Sequence, residues 1–532
     1  MPSCGEAVVR LLELSGAETV FGIPGVHTLE IYRGLSDSRL AHIAPCHEQG
    51  AAFMADGWAR VTGRPGVCVL ISGPGLTNAI TPIAQAYHDS IPLLVISGAV
   101  AEGERGHGEI HDLPDQEGLM ATVTAFSHTV GDPAELPDVF AAAAEIFQSR
   151  RPRPVHIAVP VDVLGRQTPL PTEPIRPPPP RPQPASDAIA GAAQLLASAQ
   201  RPLLVLGGGA RDAGPQAETL AELLGAPIGL TINALGTVSH GHELCLGSAL
   251  SFPPISDLLR DADVMLLVGA ELSGLDLWGL DAPLRPQALI RVDIDADQLS
   301  RRWDPLIALH GDAASTLAAL AAAVRAEFAP IGGNHPGRRA VAAERVREAR
   351  GRLDPPAEVT RFNGLISALD RALPEERIVA GDSTQPVYAA NHLLRMYRPR
   401  SWMMPIGYGC LGCALPMAIG AKLAAPERPV VAIAGDGGFM FTVQELATAV
   451  SLDLALPVLV YNNHGYGEIR DSMDHAGITR LGTDARHDIA GIAQGFGAAV
   501  TRITALDELE GALDDAFANT GPTVLELTGS LH

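Results

Sequence analysis

Short apolar runs, each ending in glycine or a polar turn and each followed by a stretch of helical pattern, recur along this chain. Gly66–Ile71, Ile91–Ile96 and Val155–Val159 form one group, Pro202–Leu206 and Val264–Val268 a second, and Arg377–Ala380, Val430–Ala434 and Leu456–Tyr461 a third. Runs of this length without polar alternation suit strands buried on both faces, and their alternation with helices points to parallel α/β layers. Such sheets bind ligands beyond the carboxyl ends of their strands, where the glycines and polar residues of this sequence fall.

The 532 residues leave room for roughly three or four domains. Between Thr168 and Ser186 proline is so dense that few amide donors remain for helix or sheet, which predicts an extended linker. A second shift falls between Pro330 and Pro356, where a Gly-Gly-Asn-His-Pro-Gly turn precedes an Ala/Arg/Glu-rich stretch that reads as an exposed helix. The expected organisation is therefore an α/β domain over 1–168, a linker over 169–185, a middle α/β domain over 186–330, a linker over 331–356 and a third α/β domain over 357–532.

Composition excludes several chemistries. Lys422 is the single lysine, and it sits in Ala-Ile-Gly-Ala-Lys rather than after a phosphate-loop pattern. Pyridoxal enzymes, Schiff-base aldolases and Walker-type nucleotide binders all need a placed amine, so they are set aside. The net charge of −22 argues against general nucleic-acid binding, which depends on a basic footprint. Six cysteines are too few for a disulfide scaffold. No apolar stretch reaches the length of a membrane helix, and the first residues lack a signal-like charged and apolar pattern. The expectation is a soluble cytoplasmic protein without nucleic-acid or membrane partners. Cys410 and Cys413 make a lone CxxC, read as two buried thiols because no second pair or flanking histidine completes a metal site.

The strongest chemical signal joins two strand ends. Gly435-Asp436-Gly437-Gly438 follows one apolar run, and Asn462-Asn463-His464-Gly465 follows the next. Read singly, the first is a turn and the second a helix cap. Together they place glycines that let backbone approach an anion, and hard oxygen ligands in Asp436 and Asn463 that suit Mg²⁺ bridging a diphosphate.

This pattern resembles the signature of thiamine-diphosphate enzymes. His47-Glu48-Gln49-Gly50 through Ala55-Asp56-Gly57-Trp58-Ala59-Arg60, Phe21-Gly-Ile-Pro-Gly25, Ser72-Gly-Pro-Gly-Leu-Thr-Asn78, Asp89-Ser-Ile-Pro-Leu93 and Cys410-Leu-Gly-Cys-Ala-Leu-Pro416 are similar to strings of acetolactate synthases and related 2-oxo-acid decarboxylases. The resemblance implies three doubly wound domains, pyrimidine-binding, middle and diphosphate-binding, and active sites at the interface of a homodimer or homotetramer. It implies that Glu48 exchanges a proton with ring nitrogen N1′ so that the 4′-amino group can take the proton from thiazolium C2. It further implies that Leu411 props the bent cofactor, that the carbonyl of Gly409 receives the 4′-amino group, and that Gly25, Gly435, Gly437, Gly438, Ser383 and Thr384 line the cofactor. The carbonyl of Gly465 would join Asp436 and Asn463 on Mg²⁺. A plain ion pair for Glu48 and a helix cap for Ser383 and Thr384 are the structural alternatives.

The identity of the reaction is decided after carbon dioxide leaves. Protonation gives an aldehyde, whereas attack on a second 2-oxo acid gives an acetohydroxy acid. Pyruvate decarboxylases place an acid where Val26 stands here, and Val26 transfers no proton. His111 is the candidate proton donor, and Gln116 aligns with a glutamine of the synthases. The middle domain lacks the Gly-Met-His-Gly string of the synthases at Cys245–Phe252, and Gly207-Gly-Gly209 alone is weak evidence for a nucleotide, which counts against FAD and against the synthase reading. Pro24-Gly-Val-His-Thr28 and Ile110-His-Asp-Leu-Pro-Asp-Gln116 look closest to the branch that decarboxylates 5-guanidino-2-oxopentanoate. A guanidinium tail calls for a carboxylate, with Glu109, Asp112, Asp115 and Glu468 at hand and Glu468 preferred. Acetolactate-type carboligation and a cofactor-binding relative without turnover are the rival readings.

Overall fold

The computed structural model describes residues 1–278, 280, 286–328 and 336–528. The expected boundary at 330–331 and the end at 532 lie outside the described residues. The chain forms three six-stranded parallel sheets with interleaved helices, as the apolar runs predict. The first holds β1 (Thr19–Gly22), β2 (Ala41–Ile43), β3 (Gly66–Leu70), β4 (Leu93–Ala99), β5 (Phe126–Thr129) and β6 (Val155–Pro160), in the order β2-β1-β3-β4-β6-β5. The second holds β7 (Pro202–Leu206), β8 (Ile228–Leu230), β9 (Cys245–Gly247), β10 (Val264–Val268), β11 (Ala288–Asp293) and β12 (Ile307–His310), ordered β12-β11-β10-β7-β8-β9. The third holds β13 (Ile378–Gly381), β14 (Trp402–Met403), β15 (Val430–Gly435), β16 (Pro457–Asn462), β17 (Ala499–Ile503) and β18 (Thr523–Thr528), ordered β14-β13-β15-β16-β18-β17, which repeats the wiring of the first.

These strands sit within two compact units. One comprises 1–180, 378–384 and 403–528; the other comprises 181–377 and 385–402. The first unit therefore combines the expected first and third domains, whereas residues 385–402 group with the middle segment. Their ties there are specific: Met396 N donates to His240 Nδ1 at 3.1 Å, and Asn391 and His392 bond to Ser248. The Pro-rich stretch is irregular throughout, as expected, and the Ala/Arg/Glu-rich stretch is the helix Pro336–Gly351.

Within the first unit, one apolar core runs from the first sheet into the third. Its centre is the pairing of helix α1 (Glu48–Thr62) with helix α2 (Ala414–Ala424). A Cβ on Gly57 would lie 2.1 Å from Met417 O, and one on Gly420 would lie 1.9 Å from Met54 O. The two backbones meet at reciprocal glycines, which is why small residues crowd both helices. Gly63 ends α1 in the left-handed region, at φ 72°.

A buried ion cluster braces the same contact. Arg60 of α1 donates to Asp56 and Asp89, all three buried; Asp89 also accepts from Gln85 Nε2 at 2.8 Å and from Gly407 N at 2.8 Å. Cys410 Sγ points at Gln85 Oε1, 3.5 Å away. Both CxxC thiols are buried, and burial lifts the Cys413 thiol well above its ordinary value, as the reading of two inert thiols expects.

Candidate active site

Sheets ordered 2-1-3 have a switch point between strands 1 and 3, where a crevice opens at the carboxyl ends. In the third sheet this lies between β13 and β15, and the loops after both strands carry the motif residues. Asp382, directly after β13, is buried and accepts from Ser383 N at 2.8 Å and from Gly412 N at 2.9 Å, with the amides of Cys413 and Ala414 adding to the cradle. Burial nevertheless wins over these donors and pushes its carboxyl up to about 6. Asp382 thus ties the β13 loop to the start of α2. Thr442 Oγ1 donates to Gly412 O at 2.7 Å from the other side.

Asp436 follows β15 and is also buried; its Oδ2 accepts from Gly465 N at 2.7 Å, which draws the β15 and β16 loops together. Burial raises its pKa, opposed by the amides of Gly465, Gly437 and Asn463. The structure separates the two asparagines after β16. Asn462 is buried, with Nδ2 on Glu526 Oε1 at 2.8 Å and Oδ1 accepting from His464 N, whereas the side chain of Asn463 is half-exposed. Asp436, Asn463 and the Gly465 carbonyl form a hard-oxygen set with a single carboxylate, which suits Mg²⁺ holding phosphate oxygens and water.

The other cofactor candidates differ in what occupies them. At Gly409 the backbone is left-handed, φ 68°, and a Cβ would meet nothing within 4 Å, so there is open space beside this residue. Leu411 is half-buried and available as a prop. Gly435, Gly437 and Gly438 are glycines partly for packing, since a Cβ would approach Thr384 Oγ1, the Tyr466 ring and the Asp382 carboxylate within 2.6, 2.8 and 3.0 Å. Ser383 donates its hydroxyl to Cys410 O at 3.1 Å, so it serves the adjoining loop; Thr384 is buried against Gly435.

The first sheet gathers a second set at its own switch point. Glu48 opens α1, half-buried, and Asn78 Nδ2 donates to its Oε2 at 3.0 Å. Glu445, buried and raised in pKa by that burial, accepts the amides of Cys46 and His47 at 3.1 Å and so fixes the start of this helix. Gly25 packs on Ile71, and Val26 beside it is 62% exposed. His111 lies next to Gly73, whose Cβ would meet His111 O at 2.6 Å. Gln116 is buried, with Nε2 donating to Ser97 Oγ at 3.0 Å and Gly98 O at 2.9 Å. Ser97 Oγ in turn shares a hydrogen bond with His156 Nε2, and His156 Nδ1 shares one with Ser127 Oγ, both at 2.8 Å; burial pushes His156 down to about 3, so the chain of bonds runs through a neutral ring. Gln116 therefore spends its donors inside the sheet. Glu468 is exposed in the first turn of the helix Gly467–His475.

Sequence reading missed Asp382, Glu445, His156 and the Arg60 cluster. The signal for Asp382 was present, an acid immediately after an apolar run, but the neighbouring hydroxyls drew the attention. The lone Lys422 donates to Pro426 O and Arg428 O, a helix-end brace consistent with its exclusion from catalysis.

Three family profiles match in order. They are described as the N-terminal TPP binding domain, the central domain and the C-terminal TPP binding domain of thiamine pyrophosphate enzymes, over residues 2–119, 189–320 and 382–527. The chain belongs to the thiamine pyrophosphate enzymes. It is 43% identical to the probable 2-ketoarginine decarboxylase AruI of Pseudomonas aeruginosa, over 99% of this chain and 94% of that protein. It is 32% identical to the acetolactate synthase isozyme 1 large subunit of Escherichia coli strain K12, over 98% and 93%, and 32% identical to the acetolactate synthase large subunit of Corynebacterium glutamicum, over 98% and 86%. Thiamine diphosphate is accordingly the cofactor, and the open space at Gly409 and the half-buried Leu411 fit it. Among the described residues no helix is long and apolar enough to cross a membrane.

Proposed function

We propose that this protein is a Mg²⁺- and thiamine-diphosphate-dependent, non-oxidative decarboxylase of a 2-oxo acid, with 5-guanidino-2-oxopentanoate as its substrate. The observation that carries the reading is the 43% identity to the 2-ketoarginine decarboxylase against 32% to the synthases, each over nearly the whole chain. The middle sheet supports it. Gly207 N donates to Val268 O and Gly209 N to Gly269 O, so these two amides of the glycine turn already serve the neighbouring strand end and not a flavin diphosphate.

The bound cofactor supplies an electron sink for the carboxylate being lost. The chain supplies position and protons. Asp436, Asn463 and the Gly465 carbonyl would hold Mg²⁺; the Gly409 carbonyl would accept from the 4′-amino group, and Leu411 would prop the cofactor. Glu48, oriented by Asn78, holds and returns the proton at N1′. The site forms between subunits of a homodimer or homotetramer in the cytoplasm, Glu48 of one chain facing the metal loops of the next. For the guanidinium, Glu468, exposed in the first turn of its helix just after the metal loop, is the preferred partner.

Purified protein with thiamine diphosphate, Mg²⁺ and a panel of 2-oxo acids should release carbon dioxide and aldehyde in step, fastest from the guanidino acid. Acetohydroxy acid formed from pyruvate would instead establish the synthase reading, and no release from any acid would leave a binding protein without turnover.

A further inference from the structure

Two histidines meet at the switch point of the first sheet, and only one was singled out by the sequence. His27 follows β1 and His111 lies in the loop after β4; their rings are 5.3 Å apart, edge to face. His27 Nδ1 and Ser72 Oγ, the latter on the loop after β3 and fully buried, share a hydrogen bond of 2.5 Å. The loops after three strands thus converge on one imidazole. The Ser72-Gly73-Pro74-Gly75 turn that holds His27 also reaches the catalytic glutamate, since a Cβ on Gly75 would lie 3.2 Å from Glu48 Oε1.

His111 is held against preference. Its φ of 65° is left-handed for a residue with a side chain, and its buried Nδ1 has no hydrogen-bond partner. Both are unfavourable in isolation, and such features persist where surrounding structure imposes them, commonly at functional sites. Burial and the facing His111 lower the pKa of His27, while Glu104 opposes them, so these neighbouring charges set its titration.

We propose that His27, anchored by Ser72, is a positioning residue that orients His111 for the proton transfer that ends decarboxylation. This rests on the decarboxylase reading. In that step the N–H bond of the His111 imidazolium breaks, and its proton joins the electron pair left on the carbon that lost carbon dioxide. The new C–H bond is the one the aldehyde carries; for aldehyde to leave, the hydroxyl on that carbon would give its proton to the now neutral imidazole, and the carbon's bond to the cofactor would break with its electron pair returning to the cofactor.

The test compares two outlets for the same electrons: aldehyde, which needs the proton, and reduction of added ferricyanide, which does not. In His27→Asn the ratio of aldehyde to ferricyanide-coupled carbon dioxide release should fall on the order of tenfold or more, the low end of what a misplaced acid costs. Its aldehyde-forming pH profile should also lose the limb seen in wild type. Ser72→Ala should shift both in the same direction, and His107→Asn, an exposed histidine of the same loop, should leave the ratio unchanged. An unaltered ratio and profile in His27→Asn would overturn the proposal, as would equal loss of both outlets, which marks a merely structural histidine. A second measurement needs no turnover. With ¹⁵N-histidine labelling, His111→Asn should raise the titration midpoint of His27, identified by its loss in His27→Asn; an unmoved midpoint refutes the pairing. If wild type releases no carbon dioxide from any 2-oxo acid, with or without ferricyanide, the functional reading fails and the titration still judges the pair.

Discussion

Replacing Asp382 by Asn tests whether burial or hydrogen bonding governs this carboxyl. The residue is 1% exposed, and its folded-state value is about 6 against 3.8 for the free group. An acid with a raised folded pKa binds its proton more tightly in the folded chain, so its contribution to stability falls as pH climbs from 3.8 to about 6. The full loss is ~3 kcal/mol, of which about 1.5 kcal/mol accrues between pH 5.0 and 7.5. The amide does not titrate. At pH 5.0 the folded carboxyl is mostly neutral, and the amide replaces one of its oxygens by an NH₂ that cannot accept from Gly412 N and its neighbours, a cost of ~0.5–1.5 kcal/mol per bond, so the variant is the less stable protein there. Every other titrating group is common to both proteins and cancels in their difference. Scanning calorimetry of the cofactor-free proteins should therefore show a gap in Tm that narrows by ~2–4 °C on going from pH 5.0 to 7.5. A gap that widens would mean that the backbone amides hold the carboxylate ionised, and burial would no longer explain this loop.

Other substitutions probe other links. Glu48→Gln should lose at least a hundredfold in carbon dioxide release, measured by a coupled assay, while a fluorescence titration shows thiamine diphosphate still bound; an unchanged rate would remove Glu48 from the proton path. Gly57→Ala and Gly420→Ala each place a methyl against backbone within 2.1 Å, and each should cost at least ~1–3 kcal/mol by thermal melting, with no gain from the better helix former. Arg60→Met leaves Asp56 and Asp89 buried face to face, a loss of ~3–5 kcal/mol detectable as a lowered Tm, whereas a neutral result would show the cluster to be dispensable.

The strands were legible because buried parallel strands are continuous apolar runs: Pro202–Leu206 and Val264–Val268 appear in the structure with the expected ends. Asp436 and Asn463 stand out as candidates because each falls in the turn that follows such a run, and the structure places them directly after β15 and β16. The sequence could not choose between Asn462 and Asn463 for burial, since that depends on Glu526 reaching across from β18. Gln116 illustrates the opposite limit. Its place in a motif suggested chemistry, but its partners are Ser97 and Gly98 on β4, a contact that only the sheet register brings about. His27 was printed within a recognisable string, yet its pairing with His111 spans three strand ends and has no local signature. The grouping of 385–402 with the middle segment was hidden for the same reason: a continuous stretch of sequence need not be a continuous body.

The pairing of α1 with α2 also sets a timetable for synthesis. Roughly 350 residues separate Thr62 from Ala414, so at the usual rate of chain growth α1 emerges roughly 20–70 s before the helix that covers it. During that interval the surface around Met54 and Gly57 has no native cover. Phe53, Met54 and Trp58 of this helix belong to the apolar core that later closes over it, so the glycine at the crossing trims but does not remove the apolar area that waits, and transient cover on the ribosome would matter for this helix.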